Sequence, residues 1–199
     1  MARVSILLPV WNDAATLETT LSSLARQSMT DWECVVVDDG SSDASAEIVA
    51  TRAQRDSRIK LLRRPHEGLI PALNAGLESC RAPLIARMDG DDWMQRERLA
   101  RQCEALDASP ELQAVGCFVR IFPRQTLTDG RRAYESWLHS LGDPGRLWRE
   151  RFIECPVAHP TLMIRRERLA ALRYRDREWP EDYDLLLRLL RSGPVVGNV

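Results

Sequence analysis

Short, unbroken apolar runs alternate with helically spaced ones from the start of the chain to Phe122. Ser5-Ile6-Leu7-Leu8-Pro9-Val10 reads as a strand buried on both faces. Asn12 and Asp13 then offer capping oxygens to a helix carrying Leu17, Leu21 and Leu24. Cys34-Val35-Val36-Val37, rich in β-branched residues, predicts a second strand that ends at Asp38-Asp39-Gly40-Ser41-Ser42-Asp43. A helix through Ile48, Val49 and Ala53, a strand at Ile59-Lys60-Leu61-Leu62 and a helix from Leu69 to Leu77 follow. Pro83 to Met88 forms a fourth strand, again ending in acid at Asp89-Gly90-Asp91-Asp92. A helix from Arg96 to Ala108 and a strand from Ala114 to Phe122 complete the alternation. This order predicts an α/β fold with a mostly parallel, Rossmann-like sheet flanked by helices.

After Phe122 the rhythm changes. Asp129-Gly130 marks a turn, Tyr134 to Leu141 reads as helix, and Gly142-Asp143-Pro144-Gly145 is a break. Thr161-Leu162-Met163-Ile164 predicts one more strand, and Pro180-Glu181-Asp182 opens a helix with Leu185, Leu186, Leu189 and Leu190. No repeat or low-complexity tract interrupts the chain. A single domain over 1–199 is expected, with a division of labour between 1–122 and 123–199. The ending, Gly197-Asn198-Val199, comes just after Pro194-Val195-Val196 begins another apolar run, so the fold is expected to be cut short at its C-terminus.

Composition narrows the classes. With 44% hydrophobic and 29% charged residues over 199 positions, the chain can bury a core and is not disordered. A formal net charge of −1 lacks the basic excess of a nucleic-acid binder, so no nucleic acid polymer is expected as partner. Lys60 is the only lysine, and the arginine bias suits phosphate or carboxylate binding as well as it suits a GC-rich genome. Five scattered cysteines without a Cys-x-x-Cys pair read as reduced thiols, and three distant histidines give no zinc pattern. The first apolar run stops at Pro9, too short for a signal peptide or a membrane span. A cytoplasmic location follows as an expectation, with peripheral contact to a membrane left open.

The candidate chemistry lies at strand ends, where parallel α/β sheets bind ligands. Asp38 and Asp39 close the second strand, and Asp89, Asp91 and Asp92 close the fourth. Carboxylates this concentrated repel one another unless a cation or donors compensate, and a hard divalent ion such as Mg²⁺ or Mn²⁺ meets that need. Asp39-Gly40 also fits ordinary turn chemistry, and an Asp-x-Asp triplet alone is common. Glu181 and Asp182 equally suit the positive end of a helix dipole, and His159 before Pro160 suits a strand start.

In combination these segments resemble the family 2 glycosyltransferases. Leu8-Pro9-Val10-Trp11-Asn12 matches their opening pattern, and Val36 to Asp43 their second-strand signature. Gly68 to Gly76 is similar to their helix under the donor diphosphate, and Arg87-Met88-Asp89-Gly90-Asp91-Asp92 to their metal motif. Ala158-His159-Pro160-Thr161 and Pro180-Glu181-Asp182 resemble their acceptor-side motifs. The resemblance implies a GT-A fold and inverting transfer of one sugar from a nucleotide sugar, UDP- or dTDP-linked, to a glycan or lipid-linked acceptor. It places Pro9, Val10, Trp11, Asn12, Asp38, Asp39, Gly68, Asn74, Arg87, Met88, Asp89 and Gly90 around the donor, with Asp39 on the nucleobase. Asp91, with Asp89 beside it, falls at the metal, Asp182 at the catalytic base, and His159 and Glu181 on the acceptor side. Two departures are His66, where many members have Asn, and Leu73, where Arg often precedes the Asn. The Gln-x-x-Arg-Trp motif of processive synthases is absent.

Three rivals are weighed. A non-catalytic nucleotide-sugar-binding module of the same fold would hydrolyse no donor, and the presence of Asp39, Asp91 and Asp182 together speaks against it. An aspartate phosphatase needs a nucleophilic Asp after the first strand, where Pro9 and Asn12 stand. A nucleotidyltransferase needs a Gly-rich basic loop at that place, and none is there.

Overall fold

The computed structural model describes residues 2–199. Strands β1 (Val4–Val10), β2 (Trp32–Asp39), β3 (Ile59–Arg64) and β4 (Leu84–Arg87) run parallel in the order β3-β2-β1-β4. Helices α1 (Leu17–Ala25), α2 (Ser45–Arg55) and α3 (Leu69–Ser79) supply the crossovers. Every residue of β1 and β2 is buried, because helices cover both faces of the sheet. The two-residue period still sorts them: Ile6 and Leu8 pack with Leu17, Leu21 and Leu24, whereas Leu7 packs with Leu73 and Leu77. From β1 the chain moves outward to β2 and β3, then returns to place β4 on the other side. That reversal opens a crevice at the carboxyl ends of β1, β2 and β4.

Helix α4 (Arg98–Ala108) leads to β5 (Ala114–Gly116), and then come α5 (Asp129–His139) and α6 (Pro144–Glu150). The last part carries β6 (Met163–Arg165), α7 (Arg166–Leu172), α8 (Glu181–Leu189) and β7 (Val196–Asn198). The full order is β3-β2-β1-β4-β6-β5-β7, with β6 antiparallel to both β4 and β5, and β7 parallel to β5. The two halves expected from the sequence therefore share one sheet, with β6 seated between strands of the first half.

Several boundaries differ from the sequence reading. The strand expected from Ala114 to Phe122 ends at Gly116, because β6 and β7 offer only three residues each to pair with it. Asp129-Gly130 is the first turn of α5, capped by the Thr128 hydroxyl accepting from Arg131 N. The Gly142–Gly145 break likewise contains a start, since Asp143 caps α6 through Arg146 N at 2.7 Å. Thr161 lies in a single 3-10 turn, His159–Thr161, ahead of β6. Neither Asn12 nor Asp13 caps α1 through its side chain, and helix α7 was not anticipated at all. Among the described residues, no helix is long and apolar enough to cross a membrane. All five cysteines are unpaired.

Candidate active site

The crevice holds an open cleft of about 270 Å³, lined by Trp11 and Asp13 after β1, Asp39 at the end of β2, His66 and Leu69 beside α3, and Asp89 to Asp91 after β4. Residues from four loops meet here because parallel strands deliver their carboxyl ends to one edge.

The acidic wall comes first. One carboxylate oxygen from each of Asp89, Asp91 and Asp92 lies within 4.8 Å of the others. Burial, reinforced by Asp89 and Asp91, pushes the Asp92 carboxyl up to about 6, with Arg87 and Arg98 opposing. Asp13 is raised as well, chiefly by burial and further by Asp91 and Asp89, although the Trp11 amide donates to it. The buried Arg87 guanidinium pairs with Asp89, and the Arg87 backbone carbonyl accepts from Arg98 Nη2 at 2.9 Å. Thr16 and Thr20 hydroxyls donate to Gly90 O at 3.0 and 2.8 Å, fixing the loop that carries the acids. An all-oxygen set of mutually repelling carboxylates is a donor environment suited to a hard divalent cation.

The opposite end of the cleft is aromatic. Trp11, half exposed, stacks on His66 with ring centroids 4.5 Å apart and planes 15° from parallel. The buried Asp39 carboxylate accepts from the backbone amides of Glu67 at 3.1 Å and Gly68 at 2.8 Å, and His66 Nδ1 lies 2.8 Å from Oδ2. Asn12, in the left-handed region at φ 57°, accepts from Ser42 N and so ties the β1 loop to the β2 loop. Asp38 accepts from Ser41 N within the β2 turn.

His159, Tyr174 and Glu181 form a separate cluster. His159 Nε2 lies 2.9 Å from the Tyr174 hydroxyl, and Nδ1 faces Glu181 at 3.9 Å. Burial, with Arg87 nearby, holds His159 well below its ordinary pKa, so it is neutral. Burial raises the Tyr174 hydroxyl, which feels Arg87, Glu181, Asp182 and Asp89 at once. Asp182 is half-buried in the first turn of α8, where it accepts from Tyr183 N at 2.7 Å. A larger groove of about 680 Å³ starts at Asp91 and Asp92 and continues past Trp93, Phe118, Phe122, Tyr134 and Pro160. Asp182 is among the lining residues of neither the smaller cleft nor the groove; burial raises the hydroxyl of Tyr134, on the groove wall, and the Asp182 charge adds to that effect.

The model of glycosyl transferase family 2 matches residues 5–172. The chain belongs to glycosyl transferase family 2. It is 32% identical over 201 residues to the amylovoran biosynthesis glycosyltransferase AmsE of Erwinia amylovora, covering 98% of this chain and 72% of that one. An uncharacterized glycosyltransferase of Bacillus subtilis, EpsJ, is 36% identical over 114 residues, or 57% of this chain and 33% of EpsJ. The fold matches S. aureus TarS in complex with UDP-GlcNAc, with TM-score 0.81 and 17% identity across 100% of this chain and 56% of that one. It also matches the mannosyltransferase PcManGT from Pyrobaculum calidifontis in complex with GDP-Man and Mn²⁺, at TM-score 0.73 and 21% identity over 99% and 56%. This family 2 chain thus has the GT-A fold and spans little more than half of those structures.

Of the residues singled out in the sequence, Pro9, Val10, Trp11, Asp39, Asp89, Gly90 and Asp91 line the smaller cleft of this family 2 chain. Met88 is fully buried and borders the larger groove, while Arg87 backs the acidic loop. Gly68 contributes its amide to Asp39, and Asn12 and Asp38 brace loops. Asn74 is engaged elsewhere: its amide donates to Tyr174 O at 3.0 Å and accepts from Tyr174 N at 3.1 Å, which anchors the segment after α7. Asp13 and Tyr174 were not anticipated as site residues. Asp13 follows a buried strand just as the other acids do, and that position was its signal. Tyr174 had none, because its partners lie up to 100 residues away.

Proposed function

We propose that this chain carries the donor site and catalytic base of an inverting, divalent-metal-dependent transferase acting on a nucleotide-diphosphate sugar. The observation that carries it is the single cleft with an aromatic, carboxylate-bearing end at Trp11 and Asp39 and an acidic end at Asp89 and Asp91. A nucleotide sugar has the matching polarity: a flat base at one end and a diphosphate needing a cation at the other. The UDP and UDP-GlcNAc of TarS and the GDP-Man and Mn²⁺ of PcManGT, on the same fold, support this reading.

Asp89, Asp91 and Asp92 would hold Mg²⁺ or Mn²⁺, which when bound offers positive charge to the departing diphosphate. Trp11 presents a ring face for the base and Asp39 an acceptor for a ring N–H. Asp182 takes the proton from the attacking acceptor hydroxyl, on the face opposite the leaving group, so the anomeric centre inverts. The 680 Å³ groove, apolar and aromatic, seats a glycan or lipid-linked acceptor. Residues 1–122 carry the donor cleft, and the acceptor groove draws on both halves, from Met88 to Phe122 and from Tyr134 to Thr161. AmsE's name supports a place in polysaccharide biosynthesis.

Thermal melting with UDP, dTDP or GDP and Mn²⁺ tests this. A nucleotide at a hundred times its Kd should stabilise the fold by about 2.7 kcal/mol. Unchanged melting with all three would remove the donor reading and leave a GT-A fold without its ligand.

A further inference from the structure

We propose that the His66 imidazole is a built-in stand-in for the donor's nucleobase, occupying the base position on Trp11 until a nucleotide displaces it. The inference rests on the donor reading above and adds a residue that sets how tightly, and at what conformational cost, the donor binds.

Recognition of a base in this cleft needs a flat ring against Trp11 and a ring N–H directed at the Asp39 carboxylate. His66 already occupies both places within the chain. Its ring stacks on Trp11 at 4.5 Å and 15°, and its Nδ1 lies 3.0 Å from the Asp39 backbone carbonyl, its hydrogen-bond partner, and 2.8 Å from Asp39 Oδ2. An imidazole with its proton on Nδ1 is itself a planar heterocycle carrying one N–H donor. A base entering the same stack meets an occupied ring face and an occupied carboxylate oxygen.

The surroundings allow the imidazole to leave without disturbing the site. Glu67 and Gly68 amides hold the Asp39 carboxylate from the backbone, independently of His66. Gly40, at φ +72°, lets the chain pass so closely that a Cβ there would lie 2.7 Å from His66 N, so the backbone of His66 is wedged in place. The His66 side chain is half exposed, so a rotation toward water sacrifices little burial. Backbone fixed and side chain free is the arrangement of a plug. When the binding-competent form is only a fraction of the population, apparent affinity falls by that fraction. Removing the plug therefore tightens binding, the reverse of what losing a contact residue does.

Calorimetric titration of UDP with Mn²⁺ into the wild type, His66→Ala and His66→Asn decides the matter. Both variants should bind UDP more tightly, by roughly three- to tenfold for Ala and less for Asn, which keeps a donor but no ring. Circular dichroism and melting temperature establish that each variant is folded, and His66→Asn carries the comparison if His66→Ala does not fold. A purely structural role would lower melting temperature and affinity together. Equal or weaker UDP binding by the folded variants, with the wild type binding, overturns the stand-in and leaves the donor reading intact. Absence of UDP binding in all three overturns the donor reading and the inference with it.

Discussion

A Cβ placed on Gly90 would lie 2.4 Å from Oδ2 of Asp13, with Asp13 Cγ only 2.9 Å away. The acidic loop after β4 and the loop after β1 are thus in contact through a missing side chain. Gly90 is held there from behind by the Thr16 and Thr20 hydroxyls on its carbonyl.

Gly90→Ala should therefore displace Asp13 and shift Asp89 and Asp91 relative to each other. Overpacking of this kind costs about 1–3 kcal/mol, and a misplaced acidic wall should lower sugar transfer roughly a hundredfold. Gly130→Ala is the control: nothing lies within 4 Å of its Cβ, and it sits in the first turn of α5. It should leave activity unchanged and raise stability slightly. Equal activity in the two variants would show that the Gly90–Asp13 contact is immaterial.

Asp182→Asn keeps the shape of the side chain and its acceptor oxygen for Tyr183 N, but cannot take up a proton. Turnover should fall by roughly a hundredfold or more while the Kd for UDP stays within about twofold. Single-turnover transfer measured beside calorimetry separates the two. Weakened UDP binding with unimpaired turnover of bound donor would remove Asp182 from the role of base.

Glu33 lies at the other end of the sheet and governs stability instead. Its carboxylate accepts from Ser5 Oγ and Lys60 Nζ, each at 2.6 Å, and from Arg81 N at 2.9 Å. Burial pushes its pKa up, but Lys60, Ser5 and the Arg81 amide outweigh that and bring it from 4.5 down to about 2. A lowered carboxyl pKa stabilises the fold above the unfolded value and loses that contribution as pH falls through the folded one. Glu33→Gln should cost about 2 kcal/mol near neutral pH, after screening by the exposed Lys60. The gap from wild type should close between pH 4.5 and 2. Urea unfolding across that range measures it, and a gap that is constant with pH would contradict the ion-pair account.

Much of the stretch 1–122 was legible because its signals are local. An unbroken apolar run such as Ile6-Leu7-Leu8 means burial on both faces, and acids placed directly after such runs land at the ligand edge of a parallel sheet. Asp39, Asp89 and Asp91 were located in this way, and they do share one cleft. The larger groove was less legible. Phe118 and Phe122 have strand-like character but line a groove, since the strands beside β5 are too short to pair with them. Asn74, placed near the donor by the resemblance, clamps Tyr174, a partner that no helical or strand period connects to it.

The amino-acid sequence by itself determined the alternation of elements, the parallel core and the acids that close its strands, because periodicity and turn chemistry act over a few residues. Only the tertiary structure decided that β6 slots between β4 and β5, that Asp13 faces the β4 acids across Gly90, and that His66 lies flat on Trp11. Those relations join residues tens of positions apart. They are set by how covered faces and strand ends meet in space, which no local pattern encodes.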